Sequence, residues 1–384
     1  MKVGNRRNLW MAFVRTIRLR ILQISSASSF GGGERSLADL TNALVDRGHE
    51  LYVAVRPNSP IPRHLHLPAS RIVTLTLRNA LDVRSAHELY RFVRRNGIEV
   101  VHAHMARDYS LAAYASRSKP GPKFLVTRHV LFPLNGIHRR TLAKANRLIA
   151  VSSAVARQLS SQRLVPDQKI ALVPNGIEVD RFVHACKSFD RASFLHANNL
   201  PQDCLLVGSI GELRKLKRHD DLIKAARIVA DKTPEAHFVI AGVDTSSESA
   251  NRKELLELVK HLNLEDRVHL LGWLDDAEKL LCALDVFVSA SETESFGLSI
   301  VEAMASGTAV VATRTEGAQE VVEDGVTGVL VNIGDVEELA HVIVRLLEDM
   351  KLRQEMSVRS QAAAKMRFTL GRMVDEIEKV YLES

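Results

Sequence analysis

Two carboxylates, Glu294 and Glu302, flank a Ser-Phe-Gly turn near the end of the chain. The apolar run at residues 284–291 predicts a buried strand before the turn, and apolar residues at helical spacing over 298–305 predict a helix after it. Two carboxylates there could hold polyol hydroxyls, while the free N–H groups where the helix begins, at Gly297, could hold a phosphate. The simpler alternative is that Glu294 is only a charged residue of a loop and that Glu302 lies on a solvated face of the helix.

A basic loop follows another predicted strand, at residues 205–210. Four of the five residues from 214 to 218 are Lys or Arg. Such a loop could neutralise a diphosphate, Lys as a point charge and Arg through its planar fork. Because ligands of open α/β sheets bind at the carboxyl ends of the strands, we expect this loop to share an edge with Glu294. A merely solvated basic loop is the alternative.

Glycines and histidines follow predicted strands in the first half. Gly31–Gly33 could approach a phosphate or sugar closely, or form a plain tight turn. Ser36 occupies the third glycine position of the dinucleotide fingerprint, and there is no Walker loop, so NAD and ATP hydrolysis lose their main support. His102, His104 and His129 are expected at carboxyl ends of strands, either in a site or as structural residues. No Asp-x-Asp pair and no metal-ligand spacing occur, so no metal is expected.

Composition places the chain among two-domain proteins without a membrane span. It has 384 residues, 46% of them apolar. Residues 1–175 contain 28 basic and 9 acidic residues, net +19, whereas the remainder has net −12. The basic half suits an anionic membrane surface, although Arg-rich solvated helices would also explain it. The scattered cysteines predict neither a disulfide framework nor a Cys-based metal site, which is consistent with a cytoplasmic protein. Few aromatic residues, 5%, argue against nucleic-acid binding.

Strand and helix patterns alternate through both halves, which predicts two doubly wound α/β domains. The predicted strands are 21–24, 51–55, 100–102, 124–126, 148–151 and 170–173, then 205–210, 237–241, 268–271, 284–291, 310–312 and 328–331. We expect an N-terminal domain at 1–185, with residues 1–18 a basic extension rather than a secretion signal, and a C-terminal domain at 186–366. Residues from Pro174 to about 199 are expected to link the domains.

These motifs together resemble glycosyltransferase family 4, the large group of retaining sugar transferases, over nearly the whole chain. The most specific likeness is the Glu294-x7-Glu302 motif; the others are Pro174-Asn-Gly-Ile177, Glu302-Ala-Met-Ala-Ser-Gly307 and Val326-Thr-Gly-Val-Leu-Val331. The resemblance implies the GT-B fold, two Rossmann-like domains with doubly wound parallel sheets that face each other across a cleft. It also implies that a final helix, at 367–384, packs back on the N-terminal domain.

The resemblance also assigns site residues. Glu294 would bind donor-sugar hydroxyls, Glu302 the ribose, and Lys217 the diphosphate. The catalytic residues implied are His129, Lys217 and Glu294; further donor-binding residues are Gly32, Gly33, Arg214, Trp273, Phe296, Gly297 and Leu298, and the acceptor side has His104 and His129. The family often has Arg directly after Gly211, where this chain has Glu212. We expect Glu212 to point away and Arg214 to supply the missing cation.

The expected activity is retaining transfer of a sugar from a UDP-, GDP- or ADP-sugar, without a metal or other cofactor. The acceptor would be a glycan or a lipid-linked or polysaccharide chain in lipopolysaccharide or exopolysaccharide synthesis. The protein would then be cytoplasmic, either free or peripheral on the inner membrane face. Alternatives are a sugar-nucleotide epimerase, a phosphorylase of similar architecture, and a non-catalytic sugar-nucleotide-binding protein.

Overall fold

The structure, a computed structural model, describes residues 17–136 and 138–384. Residues 1–16 of the predicted basic extension therefore lie outside the described residues. The chain forms two compact units. The first unit comprises residues 1–176 and 370–384, and the second comprises residues 177–369. The division falls at Gly176 rather than at residue 185. In the described part, no helix is long and apolar enough to cross a bilayer.

The first unit is built on a seven-stranded parallel sheet. Its strands are β1 (Arg20–Ser25), β2 (Glu50–Val55), β3 (Ile72–Thr74), β4 (Val100–Ala103), β5 (Lys123–Arg128), β6 (Arg147–Ala150) and β7 (Ile170–Leu172). Its helices are α1 (Gly32–Asp46), α2 (Val83–Asn96), α3 (Tyr109–Ala115), α4 (His138–Leu142) and α5 (Ser153–Ser161), with a C-terminal helix given below.

The strand order β3-β2-β1-β4-β5-β6-β7 is doubly wound, as predicted. The order reverses between β1 and β4, and a crevice at the carboxyl ends of these strands is where such sheets bind ligands. The central strands are apolar and buried on both faces, which is typical of parallel sheets covered by helices. Sequence analysis missed β3, because this edge strand has only three residues and a half-buried pattern.

The second unit has a six-stranded parallel sheet. Its strands are β8 (Leu205–Ile210), β9 (Ala236–Ala241), β10 (Val268–Gly272), β11 (Val286–Ser289), β12 (Ala309–Thr313) and β13 (Val329–Val331). Its helices are α6 (Val179–Lys187), α7 (Arg191–Ala197), α8 (His219–Lys232), α9 (Ala250–His261), α10 (Ala277–Ala283), α11 (Leu298–Ser306), α12 (Glu316–Val321), α13 (Val336–Glu348) and α14 (Met350–Arg367). The order β10-β9-β8-β11-β12-β13 reverses between β8 and β11.

The last helix, α15 (Leu370–Glu383), belongs to the first unit. It is separated from α14 by a break at Phe368 and Thr369. Its apolar face, which includes Met373, Ile377 and Tyr381, lies in one core cluster with residues of α1 and β1. The carboxylate of Glu378 on the same helix pairs with Arg47 at 2.5 Å and with His49 at 2.8 Å. Apolar burial and a buried ionic contact thus hold the C-terminus on this sheet.

Two sequence-based expectations about residues 174–199 and the cysteines are wrong. The expected linker contains α6 and α7, whose residues Phe182 and Leu195 are buried in the core of the second unit. Cys186 on α6 and Cys282 on α10 form a disulfide across 96 positions of sequence. Only Cys204 is free, and it is buried. The sequence did not predict this pair, because the two cysteines are far apart in the chain and meet only where α6 packs on α10.

Candidate functional site

In the second unit, Lys217 and Glu294 meet at the edge of the sheet. The Lys217 Nζ lies 2.5 Å from the Glu294 Oε1, and the side chains are 28% and 12% exposed. Lys217 ends a short turn after β8, and Glu294 lies in the loop after β11. Since β8 and β11 are the strands where the order reverses, both residues occupy the ligand-binding end of the sheet. A cation for phosphate and an acceptor for sugar hydroxyls are thus adjacent.

Several hydrogen bonds fix the loop that carries Glu294. The Ser291 hydroxyl donates to the Glu294 Oε1 at 2.8 Å, and the Gly317 N–H donates to the Glu294 carbonyl at 3.0 Å. The Thr313 hydroxyl donates to the Ser291 carbonyl at 2.5 Å. A Cβ on Gly317 would come 2.6 Å from the Glu294 carbonyl oxygen and from the Phe296 nitrogen. Only glycine at position 317 allows α12 to approach this loop so closely.

Sequence analysis missed Ser291, Thr313 and Gly317. Ser291 is visible as a polar residue at the end of the predicted strand, three positions before Glu294. Thr313 and Gly317 follow the next strand, and only the parallel pairing of β11 with β12 brings them to the loop. A glycine within the first turn of α12 is the one sequence signal for this close approach.

The helix α11 begins at the site. Its N-cap residue Gly297 has φ 92°, a conformation that favours glycine. The Phe296 side chain is buried in the core, where its ring lies 5.7 Å from the Phe368 ring. A ligand could therefore contact the backbone of Phe296 and Leu298, but not the buried side chain of Phe296. The first N–H groups of a helix have no partner within it, so this end can receive an anion. Glu302 lies half-buried just over one turn further along α11.

The basic loop differs from a plain cluster of cations. The Arg214 Nη1 lies 3.6 Å from the Glu212 Oε2, and Glu212 also accepts a hydrogen bond from the Thr245 hydroxyl. The Glu212 carboxylate thus partly neutralises the positive charge of Arg214, the residue that was expected to supply a cation to the site. Arg218 pairs with Asp221 at 2.6 Å. Lys217 is the cation of this loop that contacts Glu294.

Two further features border the loop. A Cβ on Gly242 would lie 1.8 Å from the Gly211 carbonyl oxygen, so glycine is required where β9 ends. Trp273 follows β10, the edge strand; its side chain is 46% exposed, and its Nε1 donates to Asp275 at 2.8 Å. A large exposed aromatic ring at this end of the sheet is suited to stacking on a planar ligand.

In the first unit, the glycine loop packs on His129. Gly32 and Gly33 open α1, and the Gly31 N–H donates to the Glu34 carboxylate at 3.0 Å. A Cβ on Gly33 would lie 3.4 Å from the His129 Cγ. The loop after β1 and the end of β5 therefore meet directly, and a side chain longer than methyl at position 33 would press on the imidazole.

Three histidines cluster at the carboxyl ends of β4 and β5; His102 and His104 are buried, and His129 is half-buried. The His104 Nδ1 lies 3.1 Å from the His129 Nε2, and the His102 Nε2 lies 2.7 Å from the Thr127 hydroxyl. Burial lowers the pKa of His102 to about 3 and that of His129 to about 4, and it holds the pKa of His104 well below 6.5. All three imidazoles are therefore neutral at pH 7. Among the described residues, no group of three or more His, Cys, Asp or Glu side chains is arranged to hold a metal ion.

Asp108, which sequence analysis did not single out, supports the chain after β1. Its Oδ2 accepts the Ser26 N–H at 2.8 Å, and the residue is fully buried. Burial raises the pKa of this carboxyl to about 6, although the hydrogen bonds from Ser26 lower it. The carboxyl thus holds the entry to the glycine loop.

The family models and curated relatives match both halves of the chain. Residues 30–181 match the model described as Glycosyltransferase Family 4, and residues 190–363 match Glycosyl transferases group 1. N-acetyl-alpha-D-glucosaminyl L-malate synthase of Bacillus anthracis is 27% identical over 94% of this chain and 96% of that protein. The lipopolysaccharide core biosynthesis glycosyltransferase LpsE of Rhizobium meliloti (strain 1021) is 28% identical over 90% of this chain and 94% of that protein.

Two solved structures share the fold over the whole length. Anabaena HepE, solved in complex with UDP and glucose, aligns with a TM-score of 0.82 at 25% identity, covering 96% of this chain and 100% of that chain. A glycosyltransferase of Rickettsia africae ESF-5 aligns with a TM-score of 0.85 at 20% identity, covering 95% and 98%. The likeness extends through both sheets, so these proteins share the fold described above.

Proposed function

The chain belongs to glycosyltransferase family 4 and has the GT-B fold of two parallel-sheet α/β domains, and from this premise we propose its reaction. It transfers a sugar, with retention of configuration, from a nucleoside-diphosphate sugar to a glycan or lipid-linked acceptor of the cell envelope. The reaction uses no metal ion and no other cofactor. UDP-sugars are the first donors to test, because HepE was solved with UDP and glucose.

The contact between Lys217 and Glu294 carries this proposal. It places a cation and a hydrogen-bonding carboxylate 2.5 Å apart at the end of the sheet where ligands bind. A nucleoside-diphosphate sugar needs both groups within a few ångströms, since its negative diphosphate is bonded directly to the polyol. The start of α11 adds backbone N–H groups next to Glu294.

In the proposed mechanism, the bond between the anomeric carbon and the diphosphate oxygen breaks while the acceptor oxygen forms its bond on the same face. Lys217 and the N–H groups at the start of α11 stabilise the charge that develops on the departing diphosphate. Glu294 holds the sugar hydroxyls, and the diphosphate oxygen takes the proton of the acceptor hydroxyl. Positioning is then the main contribution to the rate.

The acceptor follows from the relatives and from the charge of the chain. One relative is the Escherichia coli UDP-Gal:alpha-D-GlcNAc-diphosphoundecaprenol alpha-1,3-galactosyltransferase, 25% identical over 79% of this chain and 80% of that protein. LpsE acts in lipopolysaccharide core synthesis. The net charge of +19 on residues 1–175 would attract an anionic membrane surface, where a lipid-linked acceptor resides. The protein would work there as a peripheral enzyme.

The proposal is tested first by thermal unfolding with UDP, GDP, ADP and CMP and then with the matching sugar nucleotides. A ligand at a hundred times its dissociation constant should add about 2.7 kcal/mol of stability. We expect UDP to stabilise the protein and the others not to. Incubation with UDP-sugars and undecaprenyl-diphosphate-linked or lipopolysaccharide-core acceptors should release UDP, and the anomeric proton coupling of the product should match that of the donor.

Other products would identify the alternatives. A free isomerised sugar would indicate an epimerase, and a sugar phosphate formed from inorganic phosphate would indicate a phosphorylase. Nucleotide binding without any product from a broad acceptor panel would indicate a non-catalytic binding protein. An inverted anomeric configuration in the product would contradict the retaining mechanism.

A further inference from the structure

A chain of buried hydrogen bonds runs from the C-terminal helix to His129. The Gln23 Nε2 donates to the Tyr381 hydroxyl at 3.3 Å, and the hydroxyl lies 2.8 Å from the His102 Nδ1. At the other end of the Gln23 amide, the Oε1 lies 2.6 Å from the His104 Nε2. The His104 Nδ1 in turn lies 3.1 Å from the His129 Nε2. Gln23 and Tyr381 are fully buried.

The chemistry of these atoms sets the direction of each bond. A glutamine carbonyl oxygen can only accept, so the His104 Nε2 must carry a proton and donate to Gln23. Burial keeps His104 neutral, so its Nδ1 has no proton and accepts. The His129 Nε2 must then donate to it. Because His129 is also neutral, its Nδ1 is left with a free lone pair.

We propose that Gln23, acting through His104, is a positioning residue that holds His129 in the tautomer with the proton on Nε2. The Nδ1 of His129 is thereby kept as a hydrogen-bond acceptor. In the described part of the chain this buried atom has no partner, which distinguishes it from the other nitrogens of the cluster. The inference rests on the proposed function and on the resemblance described above, which implies that His129 is a catalytic residue.

Tyr381 extends this device to α15. Its hydroxyl accepts from the Gln23 Nε2, so it holds the amide with the oxygen toward His104. The same hydroxyl can donate to the His102 Nδ1, whose ring then donates from Nε2 to Thr127. In this arrangement the donor and acceptor roles of the Gln23 amide, the Tyr381 hydroxyl and the imidazole nitrogens are compatible with one another. The C-terminal helix thus orients His129, although none of these hydrogen bonds joins the helix directly to His129.

The test is to read the tautomers of the full-length protein by NMR with ¹⁵N-labelled histidine at pH 7. We expect the proton of His129 on Nε2 in the wild type. Gln23→Glu keeps an acceptor for His104 and should keep this tautomer. Gln23→Leu removes the acceptor and should move at least half of the His129 population to the Nδ1–H form. In the transfer assay, Gln23→Leu should lower kcat about tenfold with little change in the donor KM, and Gln23→Glu should restore most of it.

A matched pair of tyrosine variants separates this role from simple packing. Tyr381→Phe should release the amide and mix the His129 tautomers. Tyr109→Phe removes another buried hydroxyl, which donates to the Thr127 carbonyl at 3.2 Å, and should leave them unchanged. A wild-type His129 with its proton on Nδ1, or a tautomer unaffected by Gln23→Leu, would overturn the inference. The NMR readout needs no substrate, so it decides the point even if the transferase proposal fails.

Discussion

At the scale of single residues, Glu294 owes its position to groups that are distant in sequence. Lys217 contacts its carboxylate, Ser291 donates to the same oxygen, and Gly317 holds its backbone. Each contact restricts the loop after β11, so the Glu294 carboxylate has a fixed position in the free protein. Preorganised polar groups of this kind act on the transition state without a cost of reorganisation.

Replacing Lys217 by Ala should lower turnover more than donor binding. In the proposed mechanism the Lys217 cation stabilises the charge that grows on the departing diphosphate, so its loss should raise the barrier by about 2–4 kcal/mol, as for the loss of an oxyanion donor. Steady-state kcat and KM for the donor would measure this. Lys215→Ala is the matched control, because Lys215 lies in the same loop but pairs with Glu254 at 3.3 Å on the surface. Turnover near the wild-type value in Lys217→Ala would reject the role.

The sequence alone predicts part of this site and not the rest. Glu294 and Lys217 follow strong strand patterns, so the rule that ligands bind at the carboxyl ends of strands places them together. Gly317 and the Gln23–His104 contact could not be found in this way. The first depends on how far α12 approaches a loop from another strand, and the second on which rotamers the core selects. Residue types and spacing carry neither piece of information.

At the scale of secondary-structure elements, the entry to the glycine loop depends on a buried carboxyl at the start of α3. Asp108 accepts the Ser26 N–H after β1, and burial raises its pKa from 3.8 to about 6. Between these two values, the folded chain keeps a proton that the unfolded chain has released. The free energy of unfolding therefore falls as the pH rises through this window.

The variant Asp108→Asn should remove this pH dependence. Asn keeps an acceptor for the Ser26 N–H but does not ionise. From pH 3.5 to pH 7, the unfolding free energy of the wild type should fall by about 3 kcal/mol relative to that of the variant. Urea unfolding at several pH values would measure it. Asp167→Asn, at a surface position of the same unit, is the control, and a constant difference for Asp108→Asn would contradict the assignment.

The helices α6 and α10 are joined by a disulfide bond, which the scattered cysteines of the sequence did not predict. Without the Cys186–Cys282 disulfide, a chain segment of 96 positions would be free of this constraint in the unfolded state. Cys186→Ser should therefore lower the unfolding free energy by about 2–4 kcal/mol. Thermal unfolding with and without dithiothreitol would show it: the wild type should lose stability on reduction and Cys186→Ser should not. Cys204→Ala should keep the sensitivity, and a wild type indifferent to reduction would contradict the prediction.

The same element shows where pattern reading fails. The turn signal at Pro174-Asn-Gly176 predicts a linker over residues 174–199. The helix α6 nevertheless buries Val179, Phe182 and Val183 in the core of the second unit, where it packs on α10 and α11. Amphipathic helices of two turns carry too few apolar positions to stand out, and tertiary packing supplies most of their stability. Longer helices such as α8 and α13 repeat their apolar period several times.

At the scale of the whole molecule, the uneven charge is the feature that no single site explains. Net +19 over residues 1–175 is opposed by net −12 over the remainder. Part of the positive charge stands beside exposed apolar residues in the segment after β5: Phe132 is 53% exposed, Val130 is 38% exposed, and Arg139 and Arg140 follow on α4. Arginine next to exposed aromatic and aliphatic side chains is suited to an anionic bilayer surface.

We expect the full-length protein to sediment with vesicles that contain phosphatidylglycerol at low salt and to be released as salt is raised. Exposed charges more than about 10 Å apart are screened at 0.1 M salt, so an electrostatic contact must weaken over this range. Reversing Arg139 and Arg140 to Glu should reduce binding at least tenfold. Lys365→Glu, an equally exposed change in the second unit, should not, and neutral phosphatidylcholine vesicles should bind neither form. Failure of the wild type to bind anionic vesicles at low salt would show that the excess charge serves solubility, and the proposal of a lipid-linked acceptor would lose the support of this charge.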